Sequence, residues 1–165
     1  MKAHLYFICP TDHLEPVINE SSDNGSHYYT SLGNSVVFTK YTINQIEHLI
    51  AKYNIEEATF ILSSTNPIIR DALERQDFSG IRGLNGFYDE IARQKRYSKV
   101  LWQEHNNQFI ILSYYLNKKI EELQHKLKAQ FANQIKITGK IYDKKKNTFD
   151  EIYPNLVCTK FFSLN

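Results

Sequence analysis

An apolar run that stops abruptly at a cluster of small polar residues limits the folds that this chain can adopt. Residues 58 to 62, Ala-Thr-Phe-Ile-Leu, predict a buried strand. Four hydrogen-bonding residues follow, Ser63 to Asn66, and Pro67 then predicts the first turn of a helix, because proline is favoured at that position. In α/β proteins, ligand-binding and catalytic residues often lie in such a turn between a strand and a helix.

Helix and strand patterns alternate along the chain. Apolar residues at helical spacing predict a helix that Thr42 caps, with Gln45 completing a capping box, and that Asn54 ends. Further helices are predicted over 67–75, 87–103 and 107–131. Strands are predicted over 4–9, 35–39, 58–62, 135–142 and 148–153, with one more short strand over 156–162. Loops are predicted over 19–27 and 77–86. This order predicts a single α/β domain, residues 1–165, with three layers: a mostly parallel β-sheet of about four or five strands flanked by helices.

Length and composition exclude several classes of protein. The chain has 165 residues, of which 42% are apolar and 23% charged, as expected for one globular domain. A net charge of +2 argues against a nucleic-acid partner, so the basic residues at 93–99 and 144–146 are predicted to be solvated. The sequence shows neither a secretory signal nor an apolar run long enough to span a membrane, so we expect a cytoplasmic protein with Cys9 and Cys158 as free thiols.

Three segments together resemble the β-class carbonic anhydrases. Residues 7–13, Phe-Ile-Cys-Pro-Thr-Asp-His, fall where that family has a strand ending in Cys-x-Asp-x-Arg. Residues 32–34, Leu-Gly-Asn, fall where it has Ala-Gly-Asn before the second strand, and residues 136–143 are similar to its late strand, which commonly reads Gly-x-x-Tyr-Asp. The likeness covers roughly residues 4–153, and it implies the fold of that family and a homodimer.

The resemblance also implies which residues stand at the zinc site of that family. Its third strand ends in Gly-His-x-x-Cys-Gly, and the His and Cys bind zinc. In this chain Ser63 takes the histidine position and Asn66 the cysteine position, so only Cys9 remains, while Thr11 and His13 replace the Asp–Arg dyad. Catalytic zinc needs about three protein ligands and prefers nitrogen and sulfur donors. We therefore expect a carbonic anhydrase-like protein that has lost its zinc and its hydratase activity, needs no cofactor, and acts as a non-catalytic binding or interaction protein.

An enzymatic alternative stays open. A zinc-dependent carbonic anhydrase or another lyase could have rebuilt its metal site from Cys9, Asp12 and His13, with His27 from the polar loop as a further ligand. Asp12 would then take the acidic role of the lost dyad. Cys9 could instead act as a nucleophile, which requires a base such as His13.

A small-anion site is the other alternative. The first and third strands are expected to be neighbours at the point where the order of the sheet reverses, and ligands of open α/β sheets bind there. The helix that follows Asn66 would offer free amides to an anion. The residues expected to line this crevice are Cys9, Thr11, Asp12, His13, Ser63, Ser64, Thr65 and Asn66. A simpler interpretation needs no ligand, because Ser, Thr and Asn before a helix are common as caps.

Overall fold

A computed structural model describes residues 3–21, 25–101 and 107–154, without the side chains at 98–101 and 107. Its strands are β1 (Ala3–Ile8), β2 (Ser26–Thr30), β3 (Ile55–Ser63), β4 (Lys136–Asp143) and β5 (Thr148–Glu151). They form one sheet in the order β2-β1-β3-β4-β5. The first four are parallel to one another and β5 runs antiparallel to β4, so the predicted mostly parallel sheet is confirmed.

The described residues also contain six α-helices and two short 3₁₀ turns. The helices are α1 (Glu15–Ser21), α2 (Lys40–Tyr53), α3 (Pro67–Leu73), α4 (Asn85–Leu101), α5 (Asn107–Lys126) and α6 (Ala129–Ala132). The 3₁₀ turns are Pro10–Asp12 after β1 and Leu32–Asn34 after β2. Within the described part of the chain, none of the helices is long and apolar enough to cross a membrane.

Helices cover both faces of the sheet, which confirms the predicted three-layer α/β architecture. On one face, Leu14 and Ile18 from the α1 segment pack against Ile8, Ile61 and Tyr142. The larger core lies on the other face, where α2, α3, α4 and α5 pack against β1, β3 and β4. β2 lies next to β1 on one side, and the chain then crosses back so that β3 lies next to β1 on its other side. Right-handed crossovers therefore place α1 and α2 on opposite faces.

Helix α2 shows how local sequence sets the ends of an element. Thr39 is the N-cap, because its Oγ1 accepts the N–H of Thr42 over 3.2 Å. The predicted cap at Thr42 is therefore wrong, and this residue lies buried in the first turn of the helix. Asn54 ends the helix as predicted, in the left-handed conformation at φ 50°.

The strand predicted over 35–39 is wrong, because this segment pairs with no strand in the described part of the chain. Val36 and Phe38 are buried while Val37 is 64% exposed, which is the alternation expected of a strand. The carbonyls of Val36 and Phe38 instead accept hydrogen bonds from the Nζ atoms of Lys119 (3.0 Å) and Lys126 (2.8 Å) on α5. An extended segment is thus held by lysine side chains rather than by a neighbouring strand.

Several predicted boundaries also change. The polar loop predicted over 19–27 includes the end of α1 and the start of β2, so the Leu-Gly-Asn segment follows the second strand rather than preceding it. The long helix predicted over 107–131 ends at Lys126 and resumes as the short α6. The strand predicted over 156–162 lies outside the described residues, as does Cys158. Cys9 is a free, buried thiol.

Candidate functional site

The carboxyl ends of β1 and β3 lie side by side at the point where the order of the sheet reverses, as predicted. Ile8, the last residue of β1, lies opposite Ile61 of β3. Cys9 follows β1 directly and is completely buried, and the turn over 63–66 follows β3. Parallel neighbouring strands bring both ends to one edge of the sheet. Most of the residues predicted from these two distant segments therefore meet at this edge.

The Cys9 sulfur has two hydrogen-bond partners within the protein. Thr11 Oγ1 lies 3.0 Å from Sγ, and the backbone N–H of Gly33 donates to Sγ over 3.1 Å. Gly33 has a φ of +59°, and a Cβ atom there would lie 2.9 Å from the ring of Phe87. Glycine is favoured in this left-handed conformation, and its lack of a Cβ atom lets the backbone fit beside the Phe87 ring. The buried Cys9 sulfur is therefore hydrogen-bonded both to the turn after β1 and to the turn after β2.

Asp12 connects the end of β1 to the turn after β3. Its Oδ2 accepts the backbone N–H of Ser63 over 2.9 Å, and its Oδ1 accepts Nδ2 of Asn66 over 2.8 Å. Burial raises the pKa of the Asp12 carboxyl, although these two donors and the charge of His13 oppose that shift. The acidic group at this edge of the sheet is thus supplied by Asp12, one residue after the position that the resemblance assigns to an aspartate.

Asn66 follows β3 and is completely buried, and its side chain contacts two other elements, the first 3₁₀ turn and α3. Its Nδ2 donates to Asp12 and lies 3.5 Å from Thr11 Oγ1, and its Oδ1 accepts the N–H of Ile69 over 2.9 Å. One side chain therefore links the ends of β1 and β3 and also caps α3. Since Thr11 also contacts Cys9, the hydrogen bonds form one connected network. We call its five members the clasp: Cys9, Thr11, Asp12, Ser63 and Asn66.

The backbone N–H groups of the turn over 63–66 all have partners in the protein. The N–H of Ser63 donates to Asp12, that of Ser64 to a carbonyl of β4 (2.9 Å), that of Thr65 to Ser63 Oγ (3.2 Å), and that of Asn66 to the Ser63 carbonyl (3.0 Å). An anion at this turn would have to compete with the carboxylate of Asp12. The contacts therefore favour the capping interpretation of these polar residues over the anion site, which stays a prediction.

The two histidines considered as metal ligands lie apart from the clasp. His13 is exposed, adopts a φ of 51° directly after the first 3₁₀ turn, and makes no side-chain hydrogen bond to the described residues. His27 lies on β2 opposite Leu5, and its ring packs on Tyr53 with centroids 4.1 Å apart. Because Leu5 is three residues before the end of β1, His27 is displaced from Cys9 along the sheet. The structure thus brings neither histidine into the clasp.

Two buried residues that were not among the predicted site residues support this edge of the sheet. Asn34 is completely buried, and its Nδ2 donates to the carbonyls of Phe7 (3.2 Å) and Ile61 (2.8 Å), one on each strand. Tyr115 of α5 donates its hydroxyl to the Asn34 carbonyl over 2.8 Å, and burial raises the pKa of Tyr115 well above its usual range. The Leu-Gly-Asn segment, which carries part of the family resemblance, could have identified Asn34. No local pattern distinguishes Tyr115 from the other large residues of α5.

The donor atoms of the clasp are mostly of types that zinc sites in proteins do not use. They comprise one thiol, one carboxylate, two hydroxyls and one amide, and each group is hydrogen-bonded to another part of the protein. Zinc sites in proteins use three or four ligands drawn from Cys, His and carboxylates. Among the described residues, no three or more His, Cys, Asp or Glu side chains are grouped so that they could hold a metal ion. Cys9 and Asp12 are therefore the members of the clasp whose side chains belong to the types that bind zinc in proteins.

Solved structures of β-carbonic anhydrases are similar to this chain in fold. CafD, a β-carbonic anhydrase of the filamentous fungus Aspergillus fumigatus, gives a TM-score of 0.74 at 14% identity over 93% of this chain and 90% of that one. A tetrameric β-carbonic anhydrase of the ascomycete Sordaria macrospora gives 0.72 at 14% identity over 92% and 80%. The Coccomyxa enzyme, in complex with acetazolamide, gives 0.69 at 11% identity over 92% and 72%. No protein-family model and no curated protein matches the chain.

These likenesses establish the fold. The chain has the β-carbonic anhydrase fold over nearly its whole length, as the resemblance of the three sequence segments implied. At 11–14% identity they concern the fold alone. Since one fold serves many functions, what this chain does has to be argued from its own side chains.

Proposed function

We propose that this protein is a carbonic anhydrase-like protein without catalytic zinc or carbon dioxide hydratase activity, which acts as a non-catalytic binding or interaction protein. One observation carries this proposal: the 2.8 Å hydrogen bond from Asn66 Nδ2 to Asp12 Oδ1. Asn66 stands where the resemblance expects a cysteine ligand of the metal, and its amide is already bonded to a carboxylate.

The chemistry of hydration supports this proposal. Zinc makes hydroxide available at neutral pH by lowering the pKa of its bound water to about 7. An amide N–H is a donor and cannot coordinate a cation, while the amide oxygen of Asn66 already accepts the N–H of Ile69. Ser63 is also unsuited as a ligand, since its hydroxyl is 3.1 Å from that of Thr65. Cys9 would be the only thiolate within the clasp, and catalytic zinc needs about three protein ligands.

We also propose that the protein is a cytoplasmic homodimer. Support for self-association comes from the similar Sordaria macrospora protein, which is tetrameric, and from the fact that most soluble oligomers are symmetric assemblies of one chain. The free thiol of Cys9 is consistent with a reducing compartment. Light scattering after size-exclusion chromatography gives the mass in solution, and a mass of one chain at all concentrations would contradict the dimer.

The test of the proposed function combines metal analysis with an activity assay. Purified untagged protein is analysed for zinc by plasma mass spectrometry, and carbon dioxide hydration is followed by stopped flow. We expect zinc far below one ion per chain and hydration at the uncatalysed rate. Near-stoichiometric zinc with activity would overturn the proposal. In that case Cys9→Ala should abolish both, whereas Cys158→Ala, which removes the other cysteine of the chain, should preserve them.

A further inference from the structure

A second cleft lies at the same edge of the sheet, one strand away from the clasp. It has a volume of about 360 Å³ and is bounded by the ends of β3 and β4, the first turn of α5 and the β4–β5 hairpin. Ser64 and Asp143 line it where the two strands end. Ligands of open α/β sheets bind beyond the carboxyl ends of strands, and small-molecule sites have volumes of about 300–1,000 Å³. The place and the size of this cleft therefore suit a small ligand.

The floor of the cleft is apolar and includes an exposed aromatic ring. Phe109 and Leu112 of α5 and Ile141 of β4 line it. Tyr153 packs edge-on against Phe109 with ring centroids 5.2 Å apart, and its side chain is about half exposed. The backbone at Tyr153 is fixed, because its carbonyl accepts Nδ2 of Asn117 over 2.8 Å. The cleft thus presents a positioned aromatic surface to solvent.

The charges in the cleft leave one carboxylate unmatched. The Nζ of Lys146 lies 3.6 Å from Asp143 Oδ2, and Asp143 Oδ1 accepts the backbone N–H of Lys146 over 3.3 Å, so these two opposite charges are paired. Asp150 makes no ion pair and no side-chain hydrogen bond with the described residues. It lies directly opposite Ile141 in the antiparallel pair of β4 and β5, so both side chains point to the same face of the sheet. A single free negative charge therefore lies at the edge of the apolar floor.

We propose that this cleft binds a small organic cation with an apolar body, of the size of an arylalkylamine. Asp150 pairs with the ammonium group, while Phe109 and Tyr153, the two accessible aromatic side chains of the cleft, contact the apolar part. The exposed face of Tyr153 adds an attraction to the cation. An anion is disfavoured, because the one lysine of the cleft is already paired with Asp143. This site is separate from the clasp and does not depend on whether the chain holds zinc, so it goes beyond the proposed function.

The experiment compares three phenyl compounds of nearly equal size and different charge. Phenethylammonium, 2-phenylethanol and 3-phenylpropionate are titrated into the full-length protein while backbone amide signals are recorded by NMR. We expect saturable shifts around Ile141 and Tyr153 with phenethylammonium, weaker binding of the alcohol, and the weakest binding of the anion. Added salt should weaken the binding of phenethylammonium but not that of 2-phenylethanol. Absence of saturation with all three at millimolar concentration, or the reverse order of affinity, would overturn the proposal.

Two variants separate the named carboxylate from general surface charge. Asp150→Asn keeps the shape of the side chain and should lower the affinity for phenethylammonium about tenfold, since a charge-assisted bond becomes a neutral one. Glu151→Gln is the matched control: it removes the same charge one residue further on, where the side chain points to the other face of the strand. Equal effects of the two substitutions would show that the cation responds to overall charge and not to this cleft.

Discussion

Asn66 and Asp12 are joined by a 2.8 Å hydrogen bond, although 54 residues separate them in the chain. The bond connects the segment after β1 to the segment after β3, and Asn66 uses its other polar atom to cap α3. The side chain is completely buried, so neither of these contacts can be replaced freely by bulk water. Loss of this one amide therefore disturbs two strand ends and one helix end together.

The first prediction concerns the stability that Asn66 provides. Asn66→Ala removes a helix cap, which costs about 0.5–2 kcal/mol, and leaves the half-buried carboxylate of Asp12 without one of its donors, which costs about 1–3 kcal/mol. We expect the free energy of unfolding to fall by about 2–4 kcal/mol in a urea titration. Asn44→Ala is the control, because Asn44 is an exposed residue of α2. It should leave stability unchanged or raise it slightly, since alanine favours helix. An equal loss in both variants would contradict the role of the clasp.

The second prediction concerns pH and Asp12. Its pKa is raised in the folded chain by burial, whereas that of an unfolded aspartate is about 3.9. The folded state therefore binds this proton more tightly than the unfolded state, and the stability that results is complete below about pH 3.9 and is lost as pH rises through the folded pKa. In urea titrations between about pH 4 and 7, the unfolding free energy of the wild type minus that of Asp12→Asn should decrease as pH rises.

A control for this measurement is Asp89→Asn, which removes an exposed carboxyl on α4. Its difference from the wild type should stay nearly constant over the same range. A wild-type advantage over Asp12→Asn that grows with pH would mean that the donors from Ser63 and Asn66 outweigh burial and lower the pKa of Asp12 instead of raising it.

The third prediction tests how the backbone reaches the Cys9 sulfur. Gly33→Ala puts a side chain at a φ of +59° and a Cβ atom 2.9 Å from the ring of Phe87. Strain and overpacking together should lower the free energy of unfolding by about 2–4 kcal/mol. Gly80→Ala meets nothing within 4 Å and should change it by less than about 0.5 kcal/mol. Comparable thermal stability of the two variants would refute the close approach at Gly33.

The fourth prediction asks whether the clasp stands in the place of a metal site. The double variant Ser63→His and Asn66→Cys supplies one imidazole and one thiolate beside Cys9, which makes three nitrogen and sulfur donors. We expect it to take up about one zinc ion per chain on dialysis against zinc, measured by plasma mass spectrometry. Each single variant, and the double variant with Cys9→Ser added, should take up much less. Equal uptake by all of these proteins would indicate adventitious binding elsewhere.

Local patterns were reliable where one segment decides its own structure. The buried run over 58–62 lies within β3, and Asn54 and Pro67 end and begin helices as predicted, because capping and proline geometry act over only a few residues. The segment over 35–39 shows the limit of such patterns. Its alternating burial is real, but whether its carbonyls meet a strand or the lysines of α5, 83 and 88 residues away, is a matter of tertiary contact.

For the site, local patterns in the chain are enough to identify the chemical groups present: the polar residues at the ends of β1 and β3, with a single cysteine among them. That knowledge follows from strand periodicity and from the rule that parallel strands end at a common edge. Which of these residues bind one another is set by the folded chain. A hydrogen bond depends on distances within a few tenths of an ångström, which no spacing in the chain specifies. Folding therefore decided that Asp12 binds Ser63 and Asn66, while His13 and His27 remain outside the clasp.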